Sequence, residues 1–260
     1  MNSLLLHSLT DRSILLNKYN SKHTVFPLIG SVLDGTQQGE IYANHNHENF
    51  FIVHKFGFAD LIENGDQDFD HSLHDFLING RFSSEKIRWY NVPEKWLEKL
   101  RNSNNTKIQI AERVQLIRDS FSPVDNQSKD NAIDITGISD LNFADVTDFN
   151  IYPEDRFWSS RQDFLQHSLG ILIYKNGIAV SLCYACTVSN EIAEVDVITK
   201  EQFRGQGFGK LAVIAFINKC NEAGIKVHWD CYTNNQPSFS LAKSLGFHAY
   251  HVYTHAIISR

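Results

Sequence analysis

A glycine loop at the junction of a strand-like run and a helix-like run is the feature that most constrains how this chain folds. Gly205, Gly207 and Gly209 lie between a strand predicted at residues 191–199 and a helix predicted at residues 208–223. Glycines at such a junction let the backbone approach an anion, and the helix N-terminus offers unpaired N–H groups and a positive dipole end. The loop has neither the GxGxxG spacing of dinucleotide-binding folds nor the Lys-Ser/Thr ending of a P-loop. It therefore predicts a phosphate cradle of another kind.

The residues on either side of this loop alternate between strand and helix patterns, as in a mixed α/β fold. Asn176-Gly177 and Ser189-Asn190 are tight-turn signals that join three consecutive strands into an antiparallel meander. Helices are predicted at residues 140–149, 161–167, 208–223 and 237–245. Strands are predicted at residues 133–138, 169–175, 178–188, 191–199, 225–231 and 247–258. This order predicts one mixed sheet with helices on its faces.

Two motifs in this half occur in the order found in a known enzyme family. Arg204, Gly207 and Gly209 fit the pattern R-x-x-G-x-G. A second pattern, N-x-x-(A/S)-x-x-L-(Y)-x-x-x-G-F, is fitted by Asn235, Ser238, Leu241, Gly246 and Phe247, with Ala242 at the tyrosine position. The two motifs together resemble the GCN5-related N-acetyltransferase (GNAT) superfamily over residues 133–260. The resemblance implies the GNAT fold, an α/β (mixed α+β) architecture with a central mixed β-sheet flanked by helices.

The resemblance also implies that acetyl-CoA is the cosubstrate. Amides of the loop would cradle its pyrophosphate, and backbone groups on the preceding strand would bond its pantetheine arm and polarise the thioester carbonyl. Asn235 either meets the cofactor or only caps the helix that follows it. The residues predicted to bind acetyl-CoA are Ile198, Thr199, Arg204, Gly205, Gln206, Gly207, Phe208, Gly209, Lys210 and Asn235.

Acidic residues on the strand before the loop are the candidates for the base that accepts the amine proton. Glu194 and Asp196 share one face of this strand, because successive side chains alternate. A carboxylate inside a central strand is costly without a partner, so each is either a base, an anchor for the substrate ammonium, or a structural acid paired to a cation. Glu191 follows a turn and is expected to be solvated.

The sequence departs from the family where many members carry an acidic tyrosine that protonates the departing thiolate, because Ala242 stands there. Ser238 lies one helical turn earlier on the same face. Together with Glu194 and Asp196, it is a candidate catalytic residue. Tyr232, Tyr250 and the solvent are further candidates for this proton.

The amino-terminal half repeats part of this pattern without the glycine loop. Strands are predicted at residues 50–54, 56–62, 86–92 and 107–117, and helices at residues 72–78 and 93–100. Where the second half has its loop, this half has Asp66, Asp68 and Asp70, which would repel a pyrophosphate. We expect a smaller α/β module at residues 1–121, a linker at 122–132 and the acetyltransferase domain at 133–260. The first module is either a degenerate GNAT-like copy or an unrelated α/β cap.

Composition excludes several classes of partner. The chain has 260 residues, with 24 Lys plus Arg against 30 Asp plus Glu and a net charge of −6, so it lacks the excess of basic residues expected for nucleic-acid or anionic-membrane binding. With no signal peptide or apolar run long enough to span a bilayer, we expect a cytoplasmic protein, monomeric or homodimeric. Cys183 and Cys186 fall on a predicted strand with opposite facing, which favours buried thiols over a metal site, and no metal is expected.

The resemblance implies an N-acetyltransferase that acetylates a primary amine of a small molecule by direct transfer in a ternary complex. Phe157-Trp158, Trp229-Asp230-Cys231 and Leu241-Ala242-Lys243 are similar to bacterial two-module self-resistance acetyltransferases that act on antibiotics of the zwittermicin kind. Two alternatives stay open. They are a non-catalytic acyl-CoA-binding module, in keeping with the missing tyrosine, and a protein or peptide N-acetyltransferase.

Overall fold

The computed structural model describes residues 5–6, 12–45, 47–103, 107–119, 131–152 and 156–260. The chain divides into two units, Met1–Val114 with His251–Arg260, and Gln115–Tyr250. The predicted linker at residues 122–132 lies outside the described residues except for its last two. Among the described residues, no helix is both long and apolar enough to cross a membrane.

The first unit contains a mixed sheet with helices between its strands. Its elements are β1 (Leu5–Leu6), α1 (Ser13–Asn20), α2 (Pro27–Asp34), β2 (Gly39–Ala43), β3 (Phe50–His54), β4 (Phe58–Ile62), α3 (Gln67–Ile78), β5 (Lys86–Trp89) and α4 (Glu94–Asn102). β6 (Ile108–Ile117) begins in this unit and ends in the second. The strand order is β1-β2-β3-β4-β5, with β4 and β5 parallel and the other neighbours antiparallel.

The second unit has the same succession of elements. They are β7 (Ile133–Gly137), α5 (Phe143–Thr147), α6 (Arg161–His167), β8 (Ile171–Lys175), β9 (Ile178–Ser189), β10 (Ile192–Thr199), α7 (Phe208–Glu222), β11 (Lys226–Tyr232), α8 (Gln236–Ser244) and β12 (His248–Ser259). The strand order is β7-β8-β9-β10-β11, and only β10 and β11 are parallel. The predicted mixed sheet with helices is confirmed.

Local sequence explains why the meander forms where it was predicted. Asn176 and Gly177 both have positive φ angles, 50° and 77°, as the tight turn between β8 and β9 requires. The second turn falls one residue later than predicted, at Asn190 and Glu191, with φ angles of 50° and 58°. Ser160 caps α6 by accepting a hydrogen bond from the Asp163 N–H at 3.1 Å.

The last strand begins in the second unit and ends in the first. Residues 256–259 pair antiparallel with β5, and Ala256 and Ile258 are buried in the core that contains Trp89. The Tyr253 ring packs edge-on against the Phe26 ring, with 5.1 Å between the ring centroids, in a second core of the first unit. The division of the structure therefore differs from the predicted one, which continues the second domain to residue 260, because these apolar side chains complete the core of the first unit.

Replacing Ile258 with alanine should lower the free energy of unfolding by about 2–5 kcal/mol, since a fully buried side chain leaves a cavity. Val252 on the same strand is 54% exposed, and Val252→Ala should change the free energy of unfolding by less than about 1 kcal/mol. Urea denaturation of both variants measures the difference. Equal effects would contradict the burial of this strand end.

Candidate active site

The parallel strands β10 and β11 pair only at their beginnings. The paired positions are Ile192 with Lys226, Ala193 with Val227 and Glu194 with His228. No further pair joins them, although the structure describes both strands to their ends at Thr199 and Tyr232. β10 stays paired to β9 along its other edge as far as Thr199. One backbone edge of residues 195–199 therefore faces an opening between the two strands.

A β-bulge lies beside the last paired position. Glu194 pairs with Thr187, but the next residue, Val195, pairs with Ala185, so Cys186 is the extra residue on β9. A bulge bends its strand and changes the direction of the side chains around it. Here the bulge lies where β10 separates from β11. Cys186 is therefore an additional β9 residue next to the paired position of Glu194.

The glycine loop connects the end of β10 to the first turn of α7. Gly205 and Gly207 have φ angles of 75° and 87°, which residues with a Cβ rarely adopt. Gly207 is the N-cap of α7 and provides no side-chain hydrogen bond to the first turn. The N-terminal amides and the positive dipole end of α7 are therefore not satisfied by a cap of the protein's own.

Gly209 allows α7 to pack closely on the end of β10. A Cβ at this position would lie 3.0 Å from Thr199 Oγ1, which in turn lies 2.9 Å from Ser181 Oγ. Ser181 Oγ donates to the Ile198 carbonyl at 3.0 Å, which fixes the strand end. Arg204 Nε donates to the Thr199 carbonyl at 3.2 Å and ties the loop to the strand. Ile198, Thr199, Arg204, Gly207 and Gly209 are thus brought together as predicted neighbours.

Three other predicted loop residues contribute in different ways. The Phe208 side chain is buried with Lys175 above its ring, so only its backbone faces the helix N-terminus. Lys210 is exposed, and Gln206 is exposed with its amide donating to the Gln202 carbonyl at 3.2 Å. The two polar side chains among these three residues are therefore exposed to solvent.

The second motif forms the start of α8. Asn235 Oδ1 accepts a hydrogen bond from the Ser238 N–H at 3.3 Å, so Asn235 does cap the helix. Ser238 Oγ accepts a hydrogen bond from Trp229 Nε1 at 3.0 Å, which leaves the serine proton available for donation. Ala242 is fully buried and offers no polar group.

The structure distinguishes the two acidic candidates of β10. Asp196 accepts a hydrogen bond from Tyr184 Oη at 2.9 Å and forms an ion pair with Arg156 at 3.4 Å. Burial and the neighbouring Asp196 charge raise the pKa of Tyr184 well above its ordinary value, so the phenol stays protonated as a donor. Glu194, with only 8% of its surface exposed, lies on the last rung before the strands separate. Glu191 is an exposed turn residue.

The two cysteines of β9 are free, buried thiols. Burial, followed by the charges of Asp196 and Glu194, raises the pKa of Cys186 well above its ordinary value. Burial is also the main cause of the raised pKa of Cys183. Within the described part of the chain, no group of His, Cys, Asp and Glu side chains has the arrangement of a metal site.

The equivalent helix start in the first unit is occupied by the chain itself. Asp66 is the N-cap of α3, and its Oδ1 accepts a hydrogen bond from the Phe69 N–H at 3.0 Å. Its Oδ2 accepts from Asn44 Nδ2 at 2.7 Å. These donors lower the pKa of Asp66 and keep it ionised. A carboxylate therefore fills the position at which α7 presents an uncapped glycine.

Parallel strands that separate, with a glycine loop before an uncapped helix, form the arrangement expected for the GNAT fold that the two sequence motifs imply. A family model described as GNAT acetyltransferase matches residues 19–256, and the chain belongs to this family. The protein is accordingly an acetyltransferase, of a family that uses acetyl-CoA.

A curated relative agrees with this assignment, and solved structures share the fold. The chain is 27% identical to a Bacillus subtilis (strain 168) protein named "Uncharacterized N-acetyltransferase YdfB", over 91% of this chain and 94% of that one. A GCN5-related N-acetyltransferase-like protein from Streptococcus suis 89/1591 has a TM-score of 0.74 at 18% identity, covering 97% and 100% of the two chains. A tandem GNAT protein from the clavulanic acid biosynthesis pathway has a TM-score of 0.67 at 10% identity, covering 98% of each.

Proposed function

We propose that this protein transfers the acetyl group of acetyl-CoA to a primary amine of a small molecule, directly and in a ternary complex. The observation that carries the proposal is the uncapped N-terminus of α7 beside the separated ends of β10 and β11. The relative named as an N-acetyltransferase supports an amine as the acceptor. The tandem GNAT protein from the clavulanic acid biosynthesis pathway supports a small acceptor, and an antibiotic is one such molecule.

The residues around the opening suit acetyl-CoA. The amides from Gly205 to Lys210 surround a helix start that favours a pyrophosphate, and Arg204 adds a positive charge there. The edge of residues 195–199 that does not pair with β11 suits an extended pantetheine arm with its own amide groups. When bound, acetyl-CoA supplies an acetyl thioester. Asn235 caps α8 at the end of β11, on the other side of the opening.

Glu194 is the residue that we assign as the general base. A primary amine is largely protonated at neutral pH and must lose a proton before it attacks a carbonyl carbon. Asp196 is already engaged with Tyr184 and Arg156, which suits a structural acid paired to a cation more than a proton acceptor. A backbone N–H of β10 next to Glu194 would donate to the thioester oxygen, and Ser238 or solvent would protonate the leaving thiolate.

Calorimetric titration with acetyl-CoA should give one binding site per chain. The second unit offers an uncapped helix start, whereas Asp66 already occupies that of the first unit and would repel a pyrophosphate. The titration contains no acceptor amine, so acetyl-CoA is not consumed during the measurement. Two sites per chain would contradict the assignment of the first unit, and no binding would contradict the proposed function.

Gly207→Asp should weaken acetyl-CoA binding by more than about 100-fold, because it places a carboxylate and a Cβ at the helix start that binds the pyrophosphate. Gly224→Asp is the matched control. Gly224 follows the same helix, has a similar positive φ of 72° and also has open space around it. The control therefore reproduces the backbone strain, and equal losses of affinity in the two variants would refute the loop assignment.

Glu194→Gln should lower kcat by about 10²–10⁴-fold while leaving acetyl-CoA affinity within about threefold, as expected for loss of a general base. Asp196→Asn should lower kcat much less, because its hydrogen bond with Tyr184 is retained in altered form. The assay is thiol release from acetyl-CoA with diamines, amino sugars and short peptides as acceptors. Preference for the peptides would replace the small-molecule acceptor, and equal rates in wild type and Glu194→Gln would remove Glu194 as the base.

A further inference from the structure

The side chains of Glu194 and Asp196 lie on the face of β10 that points away from α7. A Cβ at Gly209 of α7 would lie 3.0 Å from Thr199 Oγ1 and 4.0 Å from Val197 Cγ2, so Val197 and Thr199 point toward that helix. Side chains alternate along a strand, and Glu194 and Asp196 therefore point to the opposite face. Because α7 covers the first of these faces, we expect an acceptor to approach Glu194 from the second.

The Arg156 guanidinium lies on this second face. Its Nη2 is 3.4 Å from Asp196 Oδ2, and the arginine side chain is 44% exposed. The Tyr184 phenol donates to the same Asp196 oxygen at 2.9 Å and helps to hold the carboxylate in place. A guanidinium has five N–H donors in a planar fork, which is more than this one ion pair uses. Arg156 therefore keeps the capacity to bind a further anionic group.

Buried aromatic residues fix the chain next to Arg156. The two residues that follow it, Phe157 and Trp158, are buried, and Trp158 Nε1 donates to the Ala185 carbonyl of β9 at 3.2 Å. The guanidinium carbon of Arg156 lies 5.3 Å from the centroid of the Phe157 ring. A charged group that is already held in position loses little conformational freedom when it binds a ligand. This favours a role for Arg156 in recognition.

The charges on this face suit an acceptor that carries both an amine and a carboxylate. The amine is directed to Glu194, whereas a carboxylate next to it would be repelled by Glu194 and Asp196 unless a cation were close. Arg156 is beside Asp196, which is about 6.6 Å from Glu194 along the strand, since a strand rises about 3.3 Å per residue. A small amino acid can contact both groups at once, because each hydrogen bond adds about 2.9 Å to its own length.

We propose that Arg156 is a specificity-determining residue that binds a carboxylate of the acceptor, and that the acceptor is an amino acid or a similar small amine with a carboxylate. This inference rests on the proposed function and names its substrate class. In the transfer, the amine nitrogen bonds to the acetyl carbon while the bond from that carbon to sulfur breaks. The amine loses a proton to Glu194, the thiolate gains one from Ser238 or solvent, and Arg156 keeps its charge throughout.

The test compares amines that differ only by a carboxylate. Each amino acid is paired with the amine formed by its decarboxylation: lysine with cadaverine, ornithine with putrescine, and phenylalanine with phenethylamine. Thiol release from acetyl-CoA gives the ratio of kcat/KM for the amino acid to kcat/KM for its partner. The amine pKa values differ within a pair, but they are the same for every protein variant. A change of the ratio between variants therefore reports on the protein.

Arg156→Leu should lower this ratio by about 10- to 100-fold, which is the usual cost of losing hydrogen bonds to a charged group. The affinity for acetyl-CoA should stay within about threefold, as calorimetry can check. Arg156→Lys keeps a charge beside Asp196 but loses the planar fork, so the ratio should fall by a smaller amount. Because Arg156→Lys retains the charge pair, it tests the inference even if Arg156→Leu does not fold.

Arg161 provides the matched control. Its side chain is 46% exposed, its Nη2 lies 2.8 Å from Asp140 Oδ1, and its guanidinium carbon lies 4.2 Å from the centroid of the Phe143 ring. Arg161→Leu therefore removes the same kinds of contact without breaking an ion pair to β10. It should leave the ratio unchanged for all three pairs.

An unchanged ratio in both Arg156 variants, whether or not turnover falls, would overturn this inference and leave Arg156 with a structural role alone. Continued acetylation of amines in that case would retain the proposed function. A chain that binds acetyl-CoA but acetylates no amine of the panel would instead contradict the proposed function, and this inference would fail with it.

Discussion

The separation of β10 from β11 after three paired positions is the constraint on which the chemistry of the second unit depends. Parallel strands normally satisfy their backbone groups along their whole length, because buried N–H and C=O groups are costly to leave unpaired. Here the pairing ends at Glu194 and His228, although both strands continue. The open edge is suited to an extended ligand with amide groups. The same separation places Glu194 at the closed end of that opening.

The two units show how few residues decide whether such a fold presents an anion site. Both have the same succession of strands and helices, and both have a helix that starts after the third strand of the meander. In the second unit Gly207 caps that helix without a side chain. In the first unit Asp66 caps it with a carboxylate that Asn44 also holds. A helix N-terminus that already binds a carboxylate of the same chain attracts a second anion only weakly.

The sequence could predict the elements whose signals are local. The Asn176-Gly177 turn, the start of α6 and the loop before α7 all depend on residues with special backbone or capping properties, and they were predicted to within a residue or two. α2 was missed because all residues from Pro27 to Leu33 are buried and its eight residues are too few for a periodic pattern to identify a helix. The packing of residues 251–260 in the first unit was also missed, because no local sequence pattern indicates which core a strand packs into.

The positions of the two acids in the candidate site could be predicted from the sequence, but their different surroundings could not. Alternation along β10 placed Glu194 and Asp196 on one face, but it could not assign them different roles. That difference comes from Arg156, which lies 40 residues earlier in the chain, and from Tyr184, whose register with Asp196 depends on the bulge at Cys186. A bulge leaves no clear mark in a single sequence.

Two carboxylates on the same face of one strand would repel each other, and the structure reduces this cost unequally. Asp196 receives a cation and a phenol that stays protonated, so its charge is balanced within the protein. Glu194 is more deeply buried, and its register partners on the two neighbouring strands are Thr187 and His228. The cation beside Asp196 therefore favours a structural role for this acid and leaves proton transfer to Glu194.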